Sequence, residues 1–322
     1  MHCKTLILAS ALCLTALSTS PANAAFPDRP IDIVVPFSPG GGTDQISRTI
    51  ADGMSKSLHQ TVLVLNKPGA GTIIGTGFVA KSKPDGYTLV MATFAHAVNP
   101  SLYKNIPYST DKDFTPVALI GTSPNVLVVN SHSPYKSVKD IIDYAKANPG
   151  KLTFGSYGTG TSAHLAAALF ENLAKIKMTH VPYKGSSPAI TDLLSGQINM
   201  VFSTAASVAQ YVNSGQLRAI AVTSKKRSFA FPKVPTIAES GLPAYEAESW
   251  YGLLAPAGTP PDVIQKLNAA AQQAIKSKAF QQRIEQEGLN AHTGQPQDLQ
   301  AYISREEKLW HKVVQDAHIT LD

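Results

Sequence analysis

Short runs of β-branched and apolar residues alternate with amphipathic stretches along almost the whole chain, and that alternation restricts its fold class more than any other feature. Ile31–Phe37 has the pattern of a strand; a glycine-rich turn follows, then a helix over about Asp44–Leu58. Thr61–Asn66 predicts a second strand, Gly71–Ser82 a helix and Tyr87–Ala92 a third strand. A second series opens at Asn125–Asn130 and continues through helix Val138–Asn148, strand Lys151–Ser156 and helix Thr161–Lys175. Strand Met178–Tyr183, helix Pro188–Ser195, strand Ile198–Ser203, helix Ala205–Asn213 and strand Leu217–Ser224 complete it. Ser249–Ala255 adds a strand, and Pro261–Ser277 and Pro296–Ala317 read as closing helices. Strands separated by helical patterns imply an α/β fold with largely parallel sheets covered on both faces.

Two such series in 322 residues suggest two domains, each long enough to bury a core. The closing helices follow a Pro/Gly-punctuated stretch, Phe231–Pro243, and are expected to pack back on the first domain. Residues 25–124 and 250–322 then form one discontinuous domain and 125–249 the other. Two chain crossings make a hinge suited to closing on a ligand.

The first 24 residues stand apart from this pattern. Lys4, the apolar run Leu6–Leu17 and the small residues of Pro21-Ala22-Asn23-Ala24 have the form of a secretory signal peptide cleaved after Ala24. The run is shorter than the roughly 20 apolar residues of a membrane span. Both cysteines, Cys3 and Cys13, fall in this segment, so the exported chain has neither a disulfide nor thiol chemistry. Removing Lys4 lowers the formal charge from +6 to +5, a mild basic excess.

Chemistry is best sought where strands meet helices. Ser38-Pro39-Gly40-Gly41-Gly42-Thr43-Asp44 joins the first strand to its helix; its glycines admit a close ligand and the helix start offers N–H groups. The turn lacks both the P-loop and the G-x-G-x-x-G pattern, and Asp44 is expected to cap the helix. Ser156-Tyr157-Gly158-Thr159-Gly160-Thr161-Ser162 repeats the device in the second series. Two such turns can hold one small anion, each hydrogen bond to a charged group contributing about 1.5–3 kcal/mol. None of the 6 arginines lies in either turn, so capture is expected to be dipolar. Asn66-Lys67-Pro68-Gly69-Ala70-Gly71 is read as a turn that shapes the chain. Thr93 and Phe94, at the end of the third strand, either line the same cleft or, for Phe94, pack in the core. His164, in the first turn after the second glycine loop, either meets a ligand or serves as a structural histidine bound to backbone.

Catalytic and nucleic-acid readings have little support. The sequence holds no G-x-S-x-G, no H-E-x-x-H and no Cys/His cluster, so neither a metal nor a cofactor is expected. A secreted α/β hydrolase or lyase using Ser156 and His164 is the alternative, without a nucleophile motif. The one basic run, Lys225-Lys226-Arg227, reads as a solvated turn, and no nucleic-acid partner is expected.

Several stretches together resemble a known family over essentially the whole exported chain. They are Phe26-Pro27-Asp28-Arg29-Pro30-Ile31, Val35-Pro36-Phe37-Ser38-Pro39-Gly40-Gly41-Gly42-Thr43-Asp44, Asn66–Gly71, Pro84-Asp85-Gly86-Tyr87-Thr88-Leu89, Val181-Pro182-Tyr183-Lys184-Gly185, Val234-Pro235-Thr236 and Trp250–Pro256. In this order they are similar to the periplasmic solute-binding proteins of tripartite tricarboxylate transporters, the Bug or TctC-like family. The resemblance implies a two-lobed type II flytrap, monomeric and non-catalytic, that closes on a small organic carboxylate and hands it to integral-membrane permease subunits. In the family the turns matching Ser38–Asp44 and Ser156–Ser162 hold the carboxylate, partly through ordered waters. The candidate ligand residues are therefore Phe37, Ser38, Gly40, Gly41, Gly42, Thr43, Asp44, Ser156, Gly158, Thr159, Gly160 and Ser162, with Thr93, Phe94 and His164 added from the reading of the turns above. Ser203 matches a cleft position where many relatives carry Asp. A hydroxyl there removes a partner for an ammonium group, which favours unsubstituted or aromatic carboxylates over amino acids.

Overall fold

The computed structural model describes residues 26–316; the signal-peptide segment lies outside the described residues. Strand β1 (Ile31–Val35), helix α1 (Gly42–Leu58), β2 (Val62–Asn66), α2 (Ile73–Ala80), β3 (Thr88–Thr93) and α3 (Phe94–Leu102) lead into β4 (Phe114–Asn130). There follow α4 (Val138–Ala147), β5 (Thr153–Ser156), α5 (Ser162–Ala174), β6 (Thr179–Pro182), α6 (Ser186–Leu194), β7 (Met200–Thr204), α7 (Ala205–Asn213) and β8 (Leu217–Val222). The chain closes with β9 (Glu248–Pro256), α8 (Pro261–Lys276), α9 (Lys278–Glu287), β10 (Asn290–Ala291) and α10 (Pro296–Asp316).

The strands run in the order β2-β1-β3-β9-β4-β7-β5-β6, with β8 and β10 also paired to β4. β1 pairs with β2 and β3 in parallel, as β5 does with β6 and β7. Every pairing of β4 and β9 is antiparallel, so the largely parallel sheet read from the sequence is corrected to a mixed one. The cause is the 17-residue β4, of which only the last part was legible as a strand. Its first part carries Pro116, Gly121 and Pro124, which read as a loop; the structure places shifts of register against β9 between Pro116 and Ala118 and between Leu119 and Gly121.

β4 changes partner along its length. Phe114–Pro124 pairs with β9, and Asn125–Val129 pairs with β7 and β8. Alternating side chains enter two separate cores: Ile33, Val35, Met91, Val126 and Val128 lie in one. Val34, Val90, Ala92, Leu127 and Val129 lie in the other. The period-2 alternation therefore holds through both lobes, with helices covering each face.

Local sequence sets the helix limits. Ser137 and Asp140 form a reciprocal capping box on α4, and Pro261 begins α8 where its missing N–H costs nothing. In α1, Ile46, Ile50, Ala51 and Met54 face inward, and a Cβ on Gly53 would stand 2.5 Å from Ala274 of α8, so only hydrogen fits there. α10 returns to the first lobe and packs on α3 and β4. Trp310 meets Phe94 edge-on with centroids 4.5 Å apart.

That contact supports the packing alternative for Phe94, whose side chain is buried in the core beneath α10. Phe94→Ala is expected to cost about 3–5 kcal/mol of stability, measured by urea unfolding, because it leaves a cavity against Trp310. A cost near zero would place the ring outside the core.

Candidate binding cleft between the lobes

The first glycine turn is organised by Asp44. α1 starts at Gly42 with Gly41 at its N-cap, so Asp44 is not the cap that its sequence position suggested. Its carboxylate accepts from the Gly40 N–H (2.9 Å), from Arg48 Nε and Nη2 (both 3.0 Å) and from Asn66 Nδ2 (2.9 Å). Burial alone would raise its pKa, but these donors outweigh burial and hold it below the ordinary carboxylate value. Asn66 Nδ2 also donates to the Phe37 carbonyl at 3.1 Å, so turn, helix and β2 are tied at one point. The Phe37 side chain packs in the core at the base of this turn.

This turn faces the second lobe closely. The Ser38 N–H and hydroxyl both donate to the Lys184 carbonyl at 3.1 Å. The Gly42 N–H donates to Ser207 Oγ (3.0 Å), and Ser187 Oγ donates to the Pro39 carbonyl (3.2 Å). A Cβ on Gly41 would sit 2.3 Å from Ser186 Oγ. Gly41 is thus needed for the approach of the lobes. Within α1 the Thr43 carbonyl accepts from the Ser47 hydroxyl at 2.6 Å.

The second glycine turn is knit internally. Ser156 Oγ shares a 2.6 Å hydrogen bond with His180 Nε2 and accepts from the Gly158 N–H at 3.2 Å. The Gly160 N–H donates to His164 Nδ1 (3.3 Å), and Thr161 Oγ1 donates to the Gly158 carbonyl (2.7 Å). Ser162 Oγ donates to Asn125 Oδ1 at 3.4 Å. Tyr157 donates to Ser203 Oγ and accepts from the Thr204 N–H at 2.9 Å; burial pushes this phenol up to about 12. Ser203 is fully buried in this contact. The ring of His164 stacks on His180 with centroids 4.4 Å apart, and His180 on Phe154 at 4.9 Å. The structural alternative for His164 is the one its backbone bond and stacking support.

The third turn, read from sequence as a shaping element, instead lines the cleft. A cavity of about 220 Å³ lies between Pro36, Gly69–Thr72 and Tyr103 on one side and Tyr157–Thr159 and Pro182–Lys184 on the other. Ala70, Gly71 and Thr72 all have positive φ (47°, 56° and 82°), a strained run for two residues with side chains. Asn99 of α3 steadies it, its Nδ2 donating to the Gly71 carbonyl (3.0 Å) and lying 3.4 Å from Thr72 Oγ1. A Cβ on Gly71 would come within 2.2 Å of the Thr159 carbonyl oxygen, to which Tyr103 also donates at 3.4 Å.

Of the residues expected at the ligand, Gly158 and Thr159 line this cavity. Ser38 and Gly40–Gly42 lie at the lobe contact beside it, and Thr93, Ser156, Gly160, Ser162 and Ser203 are buried behind it. Tyr103, Tyr183 and Lys184 were missed, although Lys184 stands in one of the matching stretches. Among the described residues no group of three or more His, Cys, Asp or Glu is placed to hold a metal ion, and no helix is long and apolar enough to cross a membrane.

The chain matches known proteins over nearly its full length. The family model described as "Tripartite tricarboxylate transporter family receptor" matches residues 46–319. The structure of periplasmic binding protein BugD is 35% identical, with TM-score 0.89, covering 92% of this chain and 99% of BugD. A Rhodopseudomonas palustris protein solved with adipate is 36% identical, with TM-score 0.88 and the same coverages, 92% and 99%. MatC of Rhodopseudomonas palustris, solved with bound malate, is 32% identical, with TM-score 0.86 over 90% of this chain and 100% of MatC. The mixed two-lobed fold is that of these binding proteins.

Burial, and secondarily the neighbouring His180, push the His164 imidazole down to about 3. The folded protein keeps it neutral while the unfolded chain protonates it below about 6.5, so acidification favours unfolding across that window. Relative to His164→Asn, which keeps an acceptor for Gly160, the unsubstituted protein should lose about 1.4 kcal/mol per pH unit between roughly pH 6 and pH 4. Parallel pH profiles in chemical denaturation would contradict this account of His164.

Proposed function

We propose, from the premise that this chain belongs to the tripartite tricarboxylate transporter receptor family, that it is a periplasmic receptor which captures a small organic carboxylate and delivers it to a membrane permease. The observation that carries the reading is the small half-open cavity where two lobes meet, flanked by hydrogen bonds from one lobe to the other. A space of about 220 Å³ is below the usual 300–1,000 Å³ of drug-sized pockets and suits a short organic acid. The adipate and malate carried by the two relatives are acids of this size. The signal-like segment ending at Ala24 supports export, and the receptor acts as a monomer.

In this reading the lobes meet at 124/125, where β4 exchanges β9 for β7 and β8, and at 249/250, near the start of β9. Gly158 and Thr159 touch the ligand together with the strained third turn, while Ser38 and Gly40–Gly42 latch the lobes around it. Ser203, held by Tyr157, offers no carboxylate for an ammonium group, so unsubstituted acids are preferred to amino acids. The Ser156–His180 hydrogen bond has the form of a nucleophile and base. Ser156 is fully buried and already accepts from the Gly158 N–H, so it serves to brace the turn.

The exported chain is expected to gain stability in a thermal-shift panel with short carboxylic acids, by about 2.7 kcal/mol at one hundred times Kd, with the acid recovered unchanged. Conversion of the acid, abolished by Ser156→Ala, would establish an enzyme instead. Gly71→Ala should weaken binding at least ten-fold, because its Cβ would hold Thr159 away on closure; an unchanged Kd in calorimetry would remove the third turn from the clamp.

A further inference from the structure

We infer that Lys184 is the charge that fixes a ligand carboxylate in this cleft and sets its preference for acids with a second anionic group. The inference deepens the receptor reading and rests on it.

Lys184 is the one formally charged residue among those lining the cavity, and no acidic residue lines it. Arg29, Arg48, Lys225 and Arg227 each hold a carboxylate within 3.0 Å. Among the described residues no carboxylate stands within ion-pair distance of Lys184. Lys184 is itself exposed, and an ammonium at the edge of this half-open space without a counter-charge leaves a net positive site that an incoming anion completes.

The backbone donors that the turns promise are largely occupied. The Gly40 N–H goes to Asp44, the Gly42 N–H to Ser207, the Gly158 N–H to Ser156 and the Gly160 N–H to His164. Purely dipolar capture loses these four donors. Fewer dipolar donors then remain for a dianionic acid, and Lys184 adds a formal charge to them.

The position of Lys184 also couples that charge to closure. Its carbonyl accepts both the N–H and the hydroxyl of Ser38 from the other lobe, so the backbone carrying the ammonium is fixed to the first lobe when the lobes meet. An anion at Lys184 therefore stabilises the closed arrangement, and closure in turn holds the lysine at the cavity. The carbonyl makes this bridge, so side-chain substitution leaves it intact.

The test is calorimetric titration of the exported protein with adipate and with hexanoate, which differ by one carboxylate, for the unsubstituted chain, Lys184→Met and Lys184→Arg. Adipate is expected to bind more tightly than hexanoate, to weaken ten-fold or more in Lys184→Met, and to return within about three-fold in Lys184→Arg. Hexanoate should change less than three-fold in Lys184→Met, and raising salt should weaken adipate most in the unsubstituted chain. Equal losses for both acids, or an unchanged adipate Kd in Lys184→Met, overturn the role of Lys184 and leave the receptor standing. Absence of binding by adipate, hexanoate and every other acid of a carboxylate panel to the unsubstituted chain overturns both. Unaltered circular dichroism and melting temperature of the two variants show that any loss is one of binding.

Discussion

The arrangement depends on a single backbone ladder that two lobes share. β4 is hydrogen-bonded to β9 up to Pro124 and to β7 and β8 from Asn125 onward, so one strand belongs to both sheets. The change falls at a residue with no N–H to donate, where ladder pairing is weakest, and the next residue is anchored at once: the Asn125 N–H donates to Thr223 Oγ1 at 2.8 Å. In the receptor reading, the stiff ladders on either side of this one weak position serve as the hinge. β9 runs beside β4 and gives the junction a second covalent crossing, which limits the relative motion of the lobes.

Given that hinge, the surfaces that meet must fit at backbone distance. Gly41 lies against Ser186 and Gly71 against the Thr159 carbonyl, and neither site has room for a methyl group. The strain of Ala70, Gly71 and Thr72 is held by one buried amide, Asn99, on a helix whose other face carries Phe94 into the core. The core under α10 thus positions a turn in the cleft: Trp310 fixes Phe94, Phe94 fixes α3, and α3 presents Asn99 and Tyr103. Asp44 does the same for the first turn, gathering Gly40, Arg48 and Asn66 around one carboxylate.

The elements set by local pattern were legible: β1, α1, α4, α5, α7 and α10 have the apolar spacing or capping residues that make them. What was lost depends on partners far away in sequence. Pro116, Gly121 and Pro124 look like loop residues until β9 lies beside them, and Asn99-Pro100 looks like a helix break although Pro100 sits within α3. Asp44 was assigned as a cap because its side chain suits one, yet Gly41 takes that place. In the cleft, both glycine turns were visible. Their N–H groups were expected to face a ligand, because sequence alone does not reveal the Ser207, Ser156 and His164 acceptors that occupy them.

The electrostatics follow from that occupancy. A formal charge of +6 says little about capture, since charges farther apart than about 8–10 Å are screened at physiological salt. Counting arginines in the glycine turns pointed to a site without formal charge. Lys184 lies instead on the chain after β6, whose carbonyl also closes the lobes on Ser38. A point charge on a flexible stem suits a receptor that admits acids of different length, because lysine can follow a carboxylate that the rigid fork of arginine would have to meet in one geometry. If Lys184 fixes the ligand as proposed, selectivity resides in the distance from the glycine turns to one ammonium, which the Ser38–Lys184 contact between the lobes sets.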